Sequence, residues 1–122
     1  MPALLERQGV LLGVKADAGL APLLDAPGAL EGDTVTRGLE RLPEACARWR
    51  AQGATFTKWR SALAIRERKS PSSSSSSSFG PSPAAVAANA EQLARYAAAS
   101  QAHGLVPLVE PELLIDGSHS AE

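Results

Sequence analysis

At 122 residues and a formal net charge of −1, the chain matches one ordinary domain and lacks the basic excess that nucleic acid or an anionic membrane surface would attract. A single cysteine, Cys46, excludes an intrachain disulfide framework, and no apolar run reaches the roughly 18 residues of a membrane span. The opening Met1–Gln8 stretch has neither the basic start and apolar centre of a secretory signal nor an Arg/Ser-rich transit composition, so a soluble intracellular protein is expected.

Residues 9–17 read as a first strand, followed by a loop from Gly19 to Gly32 rich in Gly, Pro and Asp. Helix signals begin near Pro43, whose missing N–H is not needed in a first helical turn. Leu39, Leu42, Cys46 and Trp49 recur at helical spacing and mark one buried face, and Gly53 is a natural stop. A second strand over 54–65 follows at once. From Arg66 to Pro83 the pattern breaks around seven consecutive serines, Ser72–Ser78, which have nothing to bury and read as a disordered insertion over 66–83. Ser82 as N-cap and Pro83 at the first helical position open a second helix, with Val86, Ala90, Leu93 and Ala97 on one face and Gly104 at its end. A third strand over 105–114 precedes a polar tail. The order β-α-β-α-β with right-handed crossovers predicts an α/β fold with parallel strands.

Each strand ends in charges two residues apart: Lys15 and Asp17, Lys58 and Arg60, Glu110 and Glu112. Alternation puts each pair on one side of its strand, and parallel strands gather their carboxyl ends on one rim, where α/β sheets and barrels carry their active sites. Two like charges on a mostly apolar strand need opposite ones, so Glu110 and Glu112 are natural partners for Lys58 and Arg60. Plain structural ion pairing is the alternative for Lys58 and Arg60, solvated strand-end charge for Glu110 and Glu112, and a local salt bridge for Lys15 and Asp17. His103 and His119 have no spacing that joins them to Cys46, and no metal site is expected. Trp49 and Trp59 read as packing residues.

Five blocks in order, Gly13-Val14-Lys15-Ala16-Asp17-Ala18-Gly19, Gly38-Leu39-Glu40, Phe56-Thr57-Lys58-Trp59-Arg60, Leu93-Ala94-Arg95-Tyr96-Ala97 and Val106-Pro107-Leu108-Val109-Glu110-Pro111-Glu112, resemble class I fructose-bisphosphate aldolase. The resemblance runs from about Gly9 to the C-terminus, interrupted by the serine tract. It implies a partial TIM (β/α)8 barrel over 1–122, with about three parallel strands and two main helices. It further implies a Schiff-base lyase that cleaves fructose 1,6-bisphosphate to dihydroxyacetone phosphate and glyceraldehyde 3-phosphate, in cytoplasm or plastid. Its substrate is a sugar bisphosphate, no cofactor is implied, and full-length members form homo-oligomers. By the same resemblance Glu110 is the general acid/base, Glu112 supports the imine lysine, and Lys58 assists proton transfer and carbon–carbon bond chemistry. Lys15 and Arg60 are substrate contacts, Arg60 at a phosphate end.

The sequence also departs from the family pattern. The imine lysine stands in a Leu-Leu-Lys-Pro context, whereas this chain has only Lys15, Lys58 and Lys69, none in that setting. The aspartate of the family's first strand and the later phosphate-binding loops have no counterpart. Arg37 replaces a usual glutamine, and Ala18 a frequent lysine. The chain alone is therefore expected to be inactive. A non-enzymatic half-barrel remnant or interaction protein is the alternative reading.

Overall fold

A computed structural model describes residues 2–24, 26–69 and 77–117. In chain order the elements are α1 (Pro2–Arg7), β1 (Leu12–Lys15), β2 (Leu20–Pro22), β3 (Thr34–Thr36), a 3-10 turn (Leu39–Arg41), α2 (Leu42–Ala51), β4 (Ala54–Ala64), β5 (Arg66–Lys69), β6 (Ser77–Gly80), α3 (Pro83–Ala102) and β7 (Val106–Leu114). Among the described residues the main sheet has the order β1-β4-β7, and both pairings are parallel. This is the expected β-α-β-α-β core.

Packing follows from side-chain alternation on β4. Thr57, Trp59 and Ser61 are buried on the helix-covered face, whereas Lys58 is exposed on the other. Trp59 stacks on Tyr96 of α3 with ring centroids 5.2 Å apart. Leu42, Cys46, Ala54 and Leu105 complete the core around them, with Leu39 and Trp49 partly buried against it. The opposite face carries Gly13 under the ring of Phe56, so close that a Cβ at position 13 would overlap that ring.

The strand edges can be oriented from one bond. Ala16 N–H donates to the Lys58 carbonyl at 2.9 Å, so even-numbered residues of β4 turn their peptide groups toward β1 and odd-numbered ones toward β7. With Thr57 opposite Pro107, β7 presents Leu108, Glu110 and Glu112 to β4, and Pro107, Val109, Pro111 and Leu113 to its open edge. Both prolines thus sit where a missing N–H breaks no ladder bond.

Several expectations change. The first strand shortens from 9–17 to Leu12–Lys15, because Gly9 turns at φ 71° after α1 and Val10 N–H bonds back to Leu5. The loop over 19–32 instead opens an antiparallel hairpin, β2 with β3. Within the expected insertion at 66–83, β5 and β6 pair antiparallel, Arg66 opposite Gly80 and Lys69 opposite Ser77, while 70–76 lie outside the described residues. The α3 face moves as well. Of the expected residues Leu93 and Ala97 pack against the core, whereas Val86 and Ala90 are exposed, and Ala85, Asn89, Tyr96 and Ser100 are buried.

Candidate active-site rim

β1, β4 and β7 deliver their charged residues to one rim because they run parallel and in register. Lys15 pairs with Lys58, Arg60 with Glu110, and Ala62 with Glu112. Side chains then reach across the ladder on a diagonal. Lys58 Nζ lies 3.1 Å from Glu110 Oε2, and Arg60 grips Glu112 with two bonds, Nε to Oε2 and Nη2 to Oε1, the latter at 3.0 Å. This fork is the strongest geometry open to such a pair. Both pairs are about half exposed, with side-chain exposures between 39% and 48%. The Arg60 hydrogen bond holds the Glu112 carboxyl below its ordinary value, and Glu112 raises the Arg60 guanidinium in turn.

At the end of β1, Lys15 Nζ meets Asp17 Oδ1 at 2.6 Å, and Gly19 N–H donates to the same oxygen at 3.1 Å. The Asp17 side chain is only 5% exposed. Among the described residues its Oδ2 is buried with no hydrogen-bond partner. Burial pushes this carboxyl up, but the Lys15 and Gly19 hydrogen bonds outweigh it and leave the value lowered.

All five residues singled out in the sequence thus reach one rim, each cation against a carboxylate. Such a cluster can move protons between carboxylate and ammonium groups, and it offers an anion three cationic donors once those pairs open. The two departures Ala18 and Arg37 touch each other: Arg37 Nη2 donates to the Ala18 carbonyl at 3.4 Å.

Sequence reasoning missed two contributors. Thr36 is buried and donates to the Arg60 carbonyl at 2.7 Å. Asp33 is buried too, and accepts the Leu30 N–H at 2.8 Å and the Ser82 hydroxyl at 2.6 Å, tying the hairpin to the start of α3. A Thr-x-Thr spacing was visible, but it does not name a partner.

The pattern of the family described as fructose-bisphosphate aldolase class-I matches residues 1–122. Fructose-bisphosphate aldolase B of Gallus gallus is 43% identical over 121 residues, which cover 99% of this chain and 29% of that protein. Fructose-bisphosphate aldolase C of Homo sapiens is 42% identical over 115 residues, covering 94% of this chain and 28% of that protein. A solved fructose-bisphosphate aldolase from Plasmodium falciparum, in a ternary complex with TRAP and a small-molecule inhibitor, superposes with a TM-score of 0.77 at 34% identity. The overlap covers 97% of this chain and 30% of the solved one. The chain therefore spans under a third of the length of these relatives. On its fold and its whole-length match, the chain belongs to the class I fructose-bisphosphate aldolase family.

Proposed function

We propose that this chain supplies the acid/base and phosphate-facing part of a fructose-bisphosphate aldolase active site. In this role Glu110 moves protons, Lys58 assists it from 3.1 Å, and Glu112 is the second rim carboxylate. Lys15 and Arg60 receive the phosphate-bearing ends of a sugar bisphosphate. The observation that carries the reading is the register: three cations and three carboxylates from three parallel strands meet on one rim. Purely structural ion pairing accounts less well for the Lys58–Glu110 and Arg60–Glu112 pairs, because half-exposed pairs add little stability.

Imine formation needs a nucleophilic lysine with a depressed pKa. Lys15 Nζ is engaged by Asp17 and Lys58 Nζ by Glu110, and neither lysine stands in the Leu-Leu-Lys-Pro setting of the imine lysine. The 122-residue chain by itself therefore forms no imine and does not cleave fructose 1,6-bisphosphate. Borohydride reduction in the presence of dihydroxyacetone phosphate, followed by mass spectrometry, should leave the chain unmodified. A stoichiometric adduct on Lys15 or Lys58 would overturn the assignment of both as supporting cations. Titration with fructose 1,6-bisphosphate checks the binding part, with shifts expected at Lys15, Lys58 and Arg60 and their absence counting against it.

The non-enzymatic reading draws on a different surface. Val106, Val109 and Leu113 of β7, with Ile115 just beyond it, are exposed. A strand edge of that kind suits contact with another polypeptide.

A further inference from the structure

Arg60 lies where β4 has outrun its neighbour. β1 stops at Lys15, and the last ladder bond on that side is Ala16 N–H to the Lys58 carbonyl. Beyond it the carbonyls of Arg60 and Ala62 face a place where the sheet offers no strand, and peptide groups left without partners cost free energy. Two hydroxyls take the place of the absent ladder. Thr36 Oγ1 donates to the Arg60 carbonyl at 2.7 Å, and Thr34 Oγ1 to the Ala62 carbonyl at 3.1 Å. Both come from β3, where alternation puts residues 34 and 36 on the same face.

On its other side β3 is tied to α3. Gln92 Oε1 accepts the Thr36 N–H at 3.0 Å, and Asn89 Nδ2 donates to the Thr34 carbonyl at 2.8 Å. Thr36 is therefore held by its own backbone while its hydroxyl holds Arg60. The Arg60 backbone is thus flanked on the β1 side by a side chain instead of a strand.

We infer that Thr36 is a positioning residue that clamps the backbone of Arg60 and so aims its guanidinium at Glu112 on the rim. The clamp's importance for catalysis rests on the reading of Arg60 as a phosphate-end contact; the clamp itself does not. A shift in the β4 backbone at residue 60 moves the base of the guanidinium, and a two-bond fork tolerates little misalignment.

The test uses the full chain and reads the pair itself. The Glu112 carboxyl is followed by carbon-13 NMR through an acid titration, and Arg60 Nε–Hε by nitrogen-15. The charged groups facing this pair are Lys58 on β4, Glu110 on β7, and Lys15 and Asp17 at the end of β1, so Glu110 and Asp17 are titrated in the same spectra. Thr36→Val should raise the Glu112 midpoint by about half a unit or more toward the ordinary carboxylate value, and should move the Arg60 signal toward that of a free guanidinium. Thr36→Ser keeps the hydroxyl and should restore both. Loss of packing alone would affect the two variants in proportion to their stability, not to the presence of an oxygen.

A folded Thr36→Val chain with the wild-type Glu112 midpoint overturns the inference, as does a Thr36→Ser chain that shifts equally. If Thr36→Val does not fold, Gln92→Leu loosens Thr36 from the α3 side and should shift Glu112 the same way; no shift there is equally decisive against it. Inorganic phosphate added to the same samples separates the two claims. No phosphate response in the wild type together with a moved Glu112 midpoint removes the phosphate role of Arg60 and leaves the clamp. A phosphate response with an unmoved midpoint removes the clamp alone.

Discussion

Burial by itself would raise the Asp17 carboxyl, yet the bonds from Lys15 and Gly19 bring it below its ordinary value. Because the folded value lies below the unfolded one, the ionised carboxylate stabilises the fold above about pH 3.9, the unfolded reference, and this contribution is lost as pH falls through the folded value. Asp17→Asn should therefore cost about 1.5–3 kcal/mol at pH 7, the range for hydrogen bonds to a charged group. The gap from wild type should close on acidification. Urea denaturation at pH 7 and near pH 2.5 makes the comparison, and a gap of equal size at both would show that shape matters here and charge does not. Glu112 has the same sign of pH dependence, but it is common to both proteins and cancels in the difference. The rim residues were legible from sequence because charges two apart on apolar strands are rare and parallel pairing brings them together. Thr36 was not, since its role is defined by a carbonyl 24 positions away.

α3 shows both what a helix pattern discloses and what it hides. Ser82 and Pro83 announced its start, and the Ser82 hydroxyl accepts the Ala85 N–H at 3.0 Å while donating to Asp33. Ser82→Ala removes a cap and strips buried Asp33 of a partner, so a loss of about 2–3 kcal/mol is expected, above the usual ~1 for a cap alone. Thermal unfolding checks this, and a cost no larger than that of an exposed cap would show that Asp33 has found another donor. The face of α3 was read correctly at Leu93 and Ala97 but not at Val86 and Ala90, because its apolar residues are nearly all alanine, which gives little contrast around the helix. Its buried side is defined by polar work: Asn89 and Gln92 hold β3, while Tyr96 and Ser100 both meet the Thr57 hydroxyl at 2.9 Å. Hydrophobic periodicity cannot register a buried face made of hydrogen bonds. The β2–β3 hairpin escaped for a related reason. Its strands are three residues each, they include Pro22, and they are fixed by contacts with α3 and β4.

At the scale of the molecule, among the described residues, a sheet of three strands has its helices packed on one face, and the rim side chains of Lys58, Arg60 and Glu110 on the other are about half exposed. A barrel would pair both outer strands. Here the buried side chains are few and small, with Trp59 and Tyr96 the largest. Chemical denaturation of the purified monomer should therefore give a stability below about 5 kcal/mol, the low end for ordinary domains. A cooperative transition above that value would mean that this much of a barrel is self-sufficient. The open side of β7 has a further consequence. Its four outward residues keep four carbonyls but, because of Pro107 and Pro111, two N–H groups, those of Val109 and Leu113. Two copies meeting there would bring eight acceptors and four donors, so half of the acceptors would go unanswered whatever the register. A proline-free strand has no such shortfall. Donor count therefore makes pairing of this edge with its own copy less favourable than pairing with a proline-free strand.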